Sequence, residues 1–355
     1  MGSLKTPAVI LAGGKGKRLK HLTANKPKPL LDYGGFCRII DFTLSNCSNS
    51  GISHVMILVQ FQESLMRNYL GCGSTWNFSS PGKNFMILSP DDTPIKHLNK
   101  YCNTADAVYK NLYFLEKLDC ENVIILAGDH IYHMDYGKMI EFHKSEEADV
   151  TIAVKKVTLN EASRFGVMET EGNKIIDFQE KPDNPRSPLI SMGIYVFKYG
   201  KLREYLKKDH HDMDSSHDFG GDIIPFMLEE GCDLKAFTYD GYWKDIGTLE
   251  SYWTANLNLL NGKFRKKMLT KRWPLYSRKS RREIEYIDAS KSIENSIVNS
   301  TASIEGRAVN SIILDNSHIG PNSKIDKSLI MPETEIEDGE VLEKSLADRE
   351  KYVRF

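Results

Sequence analysis

The chain has 355 residues, which is enough for one large domain and a smaller second one. A formal net charge of −1, with 41% hydrophobic and 27% charged residues, is ordinary for a globular protein and favours neither nucleic acid nor a membrane surface as a partner. No apolar run approaches the length of a membrane span. The six cysteines form no Cys-x-x-Cys pair, which predicts reduced thiols and a cytoplasmic location.

The amino-terminal stretch combines a short apolar run with a glycine-rich, basic loop. Residues 8–12 predict a buried strand, and Gly13, Gly14 and Gly16 then leave accessible amides and permit positive φ. Six cations follow closely: Lys15, Lys17, Arg18, Lys20, Lys26 and Lys28. Amides and cations together suit a nucleotide triphosphate or pyrophosphate, although neither the Walker A nor the dinucleotide motif is present. The alternative is a solvated turn.

Further short β-branched runs at 55–59, 123–127 and 150–154 predict strands of a largely parallel sheet. Residues 38–50 and 104–118 predict helices between them, with Gly51 ending the first and Thr104 as the N-cap of the second. This alternation predicts an α/β domain with ligands at the carboxyl ends of the strands.

Two acidic residues are candidate metal ligands. Asp129 follows the strand at 123–127 and suits Mg²⁺ held against phosphate oxygens, unless it only caps a helix. Asp245 lies between an aromatic pair, Tyr242 and Trp243, and a glycine turn. It is a candidate second ligand, and the alternative is an aromatic hinge.

Two further stretches, around residues 180–181 and 191–195, are interpreted as a sugar phosphate site. Lys181 suits a single phosphate and Glu180 suits sugar hydroxyls, although a surface ion pair would have the same sequence. Gly193, between Ser191 and Tyr195, permits close approach of a ring-shaped ligand or close packing. The run from Ser216 to Asp218 is no catalytic triad, because three adjacent side chains cannot hydrogen-bond in series.

The last third of the chain changes character. Residues 261–284 are a basic linker, either solvated or lining a pocket for an anionic regulator. From residue 285 onward, aliphatic residues recur six apart, which is typical of a parallel β-helix. Serines precede aliphatic residues at longer intervals: Ser296, Ser311, Ser328 and Ser345. The predicted domains are therefore 1–260 and 285–355, and the short repeat is expected to pack on the first domain or on another subunit.

Ten motifs together resemble the glucose-1-phosphate adenylyltransferase family of nucleotide-sugar pyrophosphorylases. They are LAGGKGKRL (11–19), KPKPL (26–30), RIIDFTLSNCSNSGI (38–52), TADAV (104–108), ILAGDHIY (125–132), FGVM (165–168), EKPDNP (180–185), SMGIYVF (191–197), SSHDFG (215–220) and YWKDIGTLESYW (242–253). The resemblance implies a Rossmann-like, GT-A type domain with a mostly parallel mixed sheet, followed by a short left-handed parallel β-helix.

The resemblance also implies formation of ADP-glucose and pyrophosphate from ATP and glucose 1-phosphate, in glycogen or α-glucan synthesis, by a homo-oligomer that is a tetramer or a dimer. It implies Mg²⁺ on Asp129 and Asp245 and a catalytic set of Arg18, Lys28, Asp129 and Lys181. The implied nucleotide-binding residues are Leu11, Gly13, Gly14, Gln60, Thr104 and Asp106. The implied sugar-phosphate-binding residues are Gly166, Glu180, Lys181, Ser191, Tyr195, Asp218 and Trp243.

Three departures from the family pattern leave alternatives open. Asn103 stands where the family usually has glycine, and asparagine tolerates the left-handed backbone expected there. The segment 72–100 diverges, and Asn25 and the short carboxyl terminus weaken the expected effector site. Another nucleotide or sugar phosphate is therefore an alternative, as is a non-catalytic regulatory subunit.

Overall fold

A computed structural model describes residues 6–93, 100–278, 284–289, 292–349 and 352–354, with the backbone alone for 284–289. These residues fall into two compact units that are each discontinuous in sequence. The first unit comprises the chain up to residue 14 with residues 46–128 and 134–242, and the second comprises residues 15–45, 129–133 and the chain from residue 243 onward. None of the helices in the described ranges is long and apolar enough to cross a bilayer.

Strands and helices alternate through the first 268 residues, as predicted. The strands are β1 (Ala8–Leu11), β2 (Asp32–Tyr33), β3 (Cys37–Arg38), β4 (His54–Leu58), β5 (Asn84–Leu88), β6 (Asn122–Ala127), β7 (His130–Tyr132), β8 (Val150–Lys156), β9 (Gly166–Glu171), β10 (Lys174–Glu180), β11 (Leu189–Lys198), β12 (Leu234–Thr238) and β13 (Trp243–Asp245). The α-helices are α1 (Ile40–Asn49), α2 (Glu63–Leu70), α3 (Thr104–Lys110), α4 (Leu112–Glu116), α5 (Tyr136–Ser145), α6 (Leu159–Ala162), α7 (Tyr199–His210), α8 (Ile224–Glu229), α9 (Leu249–Leu257) and α10 (Gly262–Met268).

The first unit is built on one mixed sheet in the order β5-β4-β1-β6-β11-β8-β12-β10-β9. The strands β5, β4, β1 and β6 are mutually parallel, whereas β11 runs antiparallel to both β6 and β8. The strands predicted at 8–12, 55–59, 123–127 and 150–154 are therefore confirmed. Leu11 pairs with Ala127, and the Gly128 amide donates to the Leu11 carbonyl oxygen at 3.0 Å, so the carboxyl ends of β1 and β6 are adjacent.

The first predicted helix is confirmed, and the second is only partly right. α1 ends two residues before Gly51, which adopts a φ of 75°. The second helix is interrupted at Asn111. The side-chain amide of Asn111 donates to the Ala107 carbonyl oxygen at 2.8 Å. Its N-cap is Asn103 rather than Thr104, and Asn103 is extended, with a φ of −156°, rather than left-handed. Asparagine therefore serves here as a cap, which needs a side-chain acceptor and no positive φ.

The chain beyond residue 284 forms a parallel β-helix. Its strands are β14 (Ile284–Ala289), β15 (Ile293–Asn299), β16 (Ser303–Ile304), β17 (Arg307–Val309), β18 (Ile312–Ile313), β19 (His318–Ile319), β20 (Lys324–Asp326), β21 (Leu329–Ile330), β22 (Glu335–Ile336), β23 (Val341–Glu343), β24 (Ser345–Ala347) and β25 (Tyr352–Arg354). The predicted repeat positions stack directly on one another, for instance Ile313 on Ile330 and Ile325 on Leu342. The aliphatic side chains form one continuous core.

The four recurring serines form a hydrogen-bonded ladder inside this β-helix. The amide of Ser311 donates to Ser296 Oγ at 3.0 Å, and the same bond recurs from Ser328 to Ser311 and from Ser345 to Ser328 at 3.1 Å. Each hydroxyl in turn donates to a carbonyl oxygen two residues earlier. The four serines therefore occupy the same buried corner in successive coils, and their spacing in the sequence is the length of one coil.

The β-helix and the segment before it belong to the same compact unit. Trp253 Nε1 on α9 donates to the Asn310 carbonyl oxygen at 2.8 Å. The predicted linker contains α10, which Asn261 caps, and Arg265 donates back to the Leu259 carbonyl oxygen. Residues 279–283, which carry part of the predicted basic run, and residues 94–99 of the divergent segment lie outside the described residues. The predicted domain boundaries stay predictions.

We expect Ser328→Ala to lower the free energy of unfolding by about 1–3 kcal/mol. The substitution removes the acceptor of the Ser345 amide and the donor to the Asp326 carbonyl oxygen in a fully buried corner. Denaturant titration measures the effect, with Ser300→Ala at an exposed turn as the control. Equal midpoints for the two variants would contradict the stabilising role of the ladder.

Candidate functional site

A two-stranded ribbon in the second unit brings three candidate metal-binding side chains together. β13 pairs antiparallel with β7, and Asp245 lies directly opposite His130. Asp129 immediately precedes β7, so its carboxylate joins the same cluster. The potential ligand atoms of Asp129, His130 and Asp245 all lie within 4.8 Å of one another.

Lys28 contacts both carboxylates of this cluster. We call Lys28, Asp129 and Asp245 the acidic pair site. The Lys28 ammonium lies 2.8 Å from Asp129 Oδ2 and 2.8 Å from Asp245 Oδ1. Only 9% of the Lys28 side chain is exposed, so water screens these contacts weakly. Burial alone would lower the pKa of Lys28, but the two carboxylates reverse this and raise the pKa above its usual value.

The electrostatics of Asp245 follow from the same contacts. Burial alone would raise the pKa of its carboxyl group, but the charge and hydrogen bond of Lys28, with a smaller effect of the Arg18 charge, more than offset this and lower it to about 2. Arg18 therefore acts on the acidic pair site through space, from an exposed position in a 3₁₀ turn. Asp245 is consequently ionised at neutral pH and available as an acceptor or metal ligand.

Trp243 fixes the orientation of His130. The indole Nε1 donates to His130 Nδ1 at 3.3 Å, and the two rings meet edge to face at 5.2 Å. An imidazole whose Nδ1 accepts carries its hydrogen on Nε2, which lies 3.5 Å from Asp129 Oδ1 and 3.7 Å from Asp245 Oδ1. His130 in this tautomer is a donor toward the carboxylates. The two carboxylates are therefore the candidate ligands, because hard oxygen donors suit a divalent cation such as Mg²⁺.

Among the loop glycines, Gly16 adopts a backbone conformation that favours glycine. Its φ is 61°, and a Cβ there would lie 3.1 Å from Thr23 Cγ2 and 3.3 Å from Lys28 Cβ. The Thr23 hydroxyl donates to the Gly16 carbonyl oxygen at 2.9 Å and closes the loop. Gly16 thus allows the backbone to pack against the stem of Lys28 and helps to place its ammonium.

The other loop glycines belong to the first unit and do not adopt the positive φ that their sequence permits. A Cβ on Gly13 would make ordinary contacts with Gln60, and one on Gly14 would meet nothing within 4 Å. Leu11 is the last residue of β1. The protein's own packing therefore does not account for a glycine at position 14, and the nucleotide-binding role of Gly13 and Gly14 stays a prediction.

A second cluster, which we call the sugar cluster, lies in the first unit and comprises Thr104, Gly166, Glu180, Tyr195 and Asp218. Glu180 Oε2 lies so close to two glycines that a Cβ on Gly166 would be 3.0 Å from it and one on Gly220 only 2.6 Å. Asp218 accepts from the Thr104 hydroxyl at 2.9 Å. Two carboxylates and a hydroxyl are a suitable set for binding several sugar hydroxyls.

Tyr195 and Ser191 contact each other on β11, next to the irregularity at Gly193. The two hydroxyl oxygens are 3.4 Å apart, and the Tyr195 ring stacks on Phe219 with centroids 5.8 Å apart. Burial, reinforced by the charges of Asp218 and Glu180, raises the pKa of the Tyr195 hydroxyl. It therefore stays a neutral hydrogen-bond donor at all working pH values.

Lys181 directly follows Glu180, and its ammonium hydrogen-bonds to the Glu180 carboxylate. The Lys181 backbone is left-handed, with a φ of 45°, and its amide donates to the Phe165 carbonyl oxygen at 3.0 Å. The side chain is 60% exposed. It is thus anchored at the backbone while its charge remains accessible to a phosphate.

Two predicted nucleotide-binding residues make contacts within the protein. The Gln60 side-chain amide pairs with both the amide and the carbonyl oxygen of Tyr101. Asp106 is buried, and its carboxylate accepts from Lys110 Nζ at 2.6 Å and from the Cys102 amide at 2.7 Å. Both residues hold the segment before α3 in place, and their role in nucleotide binding stays a prediction.

The expected absence of a triad at Ser216, His217 and Asp218 agrees with the geometry. His217 contacts Asp209, Ser216 donates to Asp222, and Asp218 is bonded to Thr104. Sequence reasoning missed His130, although it adjoins Asp129 in the same motif. It gave Thr104 as an N-cap and, through the resemblance, as a nucleotide-binding residue. It did not foresee the contact with Asp218, which joins residues 114 positions apart.

Comparison with known proteins agrees with this geometry. The model of the family described as nucleotidyl transferase matches residues 7–262, and the family described as GlmU-like, C-terminal hexapeptide matches residues 284–354. The first part of the chain is therefore a nucleotidyl transferase domain, and the second is a hexapeptide-repeat, left-handed β-helix. The predicted fold class is confirmed.

Curated relatives are similar over nearly the whole chain. A protein of Bacillus cytotoxicus named glucose-1-phosphate adenylyltransferase is 43% identical over 353 residues, covering 94% of both chains. Proteins of the same name from Bacillus cereus and Bacillus anthracis are each 42% identical over 352 residues, covering 98% of this chain and 93% of theirs. The chain belongs to the glucose-1-phosphate adenylyltransferase family, and the resemblance found in its motifs is confirmed.

We expect Lys28→Met to lower the free energy of unfolding at pH 7 by about 3 kcal/mol, because it leaves the buried carboxylate of Asp245 without its cation. In the wild type, Asp245 contributes stability that is present above its ordinary pKa of 3.8 and is lost as pH falls toward about 2. The difference between variant and wild type should therefore shrink between pH 4 and pH 2.

Denaturant titrations over this pH range measure the difference. The control is Lys327→Met, since Lys327 is half exposed and lies 3.8 Å from Asp326. A surface substitution of this kind should change stability by less than about 0.5 kcal/mol. A difference for Lys28→Met that stays constant with pH would mean that the two carboxylates do not depend on its charge.

Proposed function

We propose that the chain transfers the adenylyl group of ATP to glucose 1-phosphate, forms ADP-glucose and releases pyrophosphate, with Mg²⁺ as the cation. The observation that carries the proposal is the acidic pair site, in which a buried ammonium and two carboxylates gather within one small volume. The names of the relatives, glucose-1-phosphate adenylyltransferases, supply the substrate and the adenylyl group.

The reaction needs no nucleophile from the protein. An oxygen of the sugar phosphate attacks the α-phosphorus of ATP, a new P–O bond forms, and the bond to the bridging oxygen of the β-phosphate breaks. Pyrophosphate leaves with the electron pair of that bond. The rate acceleration therefore comes from positioning the two substrates and neutralising the phosphate charge. The site is rich in groups suited to both.

In this proposal Asp129 and Asp245 hold the divalent cation, which neutralises phosphate charge when bound. The cations Lys28 and Arg18 contact phosphate oxygens. Gly13 and Gly14, in the first unit, stay predicted nucleotide-binding residues. Lys28 is a strong candidate because its raised pKa keeps it fully charged at neutral pH. His130, oriented by Trp243, donates toward the carboxylates.

The sugar cluster is proposed to bind glucose 1-phosphate. Glu180 and Asp218 accept from sugar hydroxyls, Tyr195 and Ser191 donate, and the exposed ammonium of Lys181 binds the phosphate. Gly166 and Gly220 leave the space that the Glu180 carboxylate needs. A regulatory subunit without catalysis is disfavoured, because Arg18, Lys28 and both aspartates are retained.

The first test is pyrophosphate release with a panel of nucleotides and sugar phosphates. We expect ATP with glucose 1-phosphate to give a kcat/KM at least tenfold above every other pair. Another nucleotide is the main alternative, since the Gln60 amide is already bonded to the Tyr101 backbone. Equal or better turnover with a different nucleotide would overturn the substrate assignment.

We expect Asp129→Asn to lower kcat by about three orders of magnitude, because the amide is a far poorer ligand for a divalent cation. Steady-state pyrophosphate release at saturating substrate measures it, with the exposed Asp240→Asn as the matched control. A kcat within tenfold of the wild type would remove Asp129 from the catalytic machinery.

We also propose that the chain works as a homo-oligomer, either a tetramer or a dimer, as its motifs imply. One supporting feature is the edge strand β23 of the β-helix, where Val341 is 66% exposed. Sedimentation equilibrium of the full chain distinguishes these assemblies from a monomer.

A further inference from the structure

One carboxylate–imidazole contact in the first unit lies outside every role assigned so far. Asp209, at the end of α7, is 95% buried, and its two oxygens are used by different partners. Ser215 Oγ donates to Oδ1 at 2.5 Å, and His217 Nδ1 donates to Oδ2 at 2.9 Å. A buried carboxylate is costly unless it is fully hydrogen-bonded, so this arrangement is a specific one.

His217 adopts a left-handed backbone conformation, with a φ of 59°. Histidine populates this region more often than most residues, although less readily than glycine. Two contacts hold the conformation: the imidazole bond to Asp209 and the bond from the His217 amide to Ser215 Oγ at 2.9 Å. A turn that is fixed by a buried carboxylate gives the next residue a defined backbone direction.

The turn at His217 determines where the next residue lies. The His217 carbonyl oxygen accepts from the Ala105 amide at 2.9 Å, which joins the turn to the first turn of α3. Asp218 follows, and its carboxylate accepts from Thr104 Oγ1 and from the amides of Gly220 and Gly221. The Asp218 side chain is thereby fixed within the sugar cluster.

We propose that Asp209 and His217 are positioning residues that hold Asp218 in place for the sugar phosphate, an inference that rests on the function proposed above. The Asp209 carboxylate stabilises the left-handed turn through the His217 imidazole, and the turn sets the Asp218 carboxylate. Neither residue contacts the substrate. Their loss should weaken sugar binding without slowing the chemical step.

Three substitutions of His217 separate the effect of the imidazole hydrogen bond from the effect of the left-handed backbone conformation. His217→Ala loses the donor and disfavours positive φ, whereas His217→Gly loses the donor alone. His217→Asn tolerates positive φ and places an amide nitrogen near the position of Nδ1. The matched control is His211→Asn, because His211 is exposed and its Nδ1 bonds to the Lys207 carbonyl oxygen rather than to Asp209.

We expect the KM for glucose 1-phosphate to rise about tenfold or more in His217→Ala and by less in His217→Gly. His217→Asn and His211→Asn should stay within about threefold of the wild type. The kcat and the KM for ATP should stay within about threefold in all four variants. An unchanged sugar KM in His217→Ala, a parallel loss of all kinetic constants, or failure of His217→Asn to rescue would overturn the proposal.

Hydrogen exchange provides a readout that does not depend on activity. In His217→Ala, the amides of Ala105, Gly220 and Gly221 should exchange at least tenfold faster than in the wild type, and in His217→Asn they should not. If the wild type fails to use glucose 1-phosphate, the proposed function fails and exchange alone decides the positioning role. Unchanged exchange at these amides would overturn it.

Discussion

The Lys28 ammonium lies 2.8 Å from a carboxylate oxygen of both Asp129 and Asp245, and the second unit is arranged around this contact. Two carboxylates this close repel each other, and a buried cation between them makes the arrangement stable. The ribbon of β7 and β13 holds the acids in register, Gly16 lets the loop pack on the Lys28 stem, and Trp243 turns the His130 ring. Each of these features helps to hold the charged groups of the acidic pair site close together. Transfer of a nucleotidyl group requires such a concentration of charge.

The sugar cluster in the first unit depends on a different principle. Among the described residues no cation bridges its two carboxylates: Glu180 pairs with the exposed ammonium of Lys181, and Asp218 accepts from the Thr104 hydroxyl and two backbone amides. Glu180 needs two glycines beside it, and Asp218 is fixed by three donors from α3 and its own turn. Neutral donors suit recognition of sugar hydroxyls, whereas concentrated cations suit phosphate. The chemistry of each cluster therefore matches the part of the reaction that we assign to it.

Much of this was predictable from the sequence, because local patterns determine local structure. Apolar runs gave the positions of β1, β4, β6 and β8, and the six-residue period with its serines gave the β-helix. Contacts between distant residues were not predictable from those patterns. The bond from Thr104 to Asp218 and the bridging position of Lys28 depend on tertiary packing, and the wrong cap at Thr104 followed from reading the sequence locally. The residue patterns already gave Asp129 and Asp245 as candidate ligands of one cation, and the resemblance to a family added Lys28 to the catalytic set.

We propose that Asp129 and Asp245 hold one divalent cation. Anomalous scattering from crystals grown with Mn²⁺ and a non-reactive ATP analogue tests this assignment. We expect a single strong anomalous peak within coordination distance of an oxygen of both carboxylates, with Lys28 turned toward the phosphates. A peak bound to neither aspartate, or bound with the Lys28 ammonium still bridging the two acids, would contradict it.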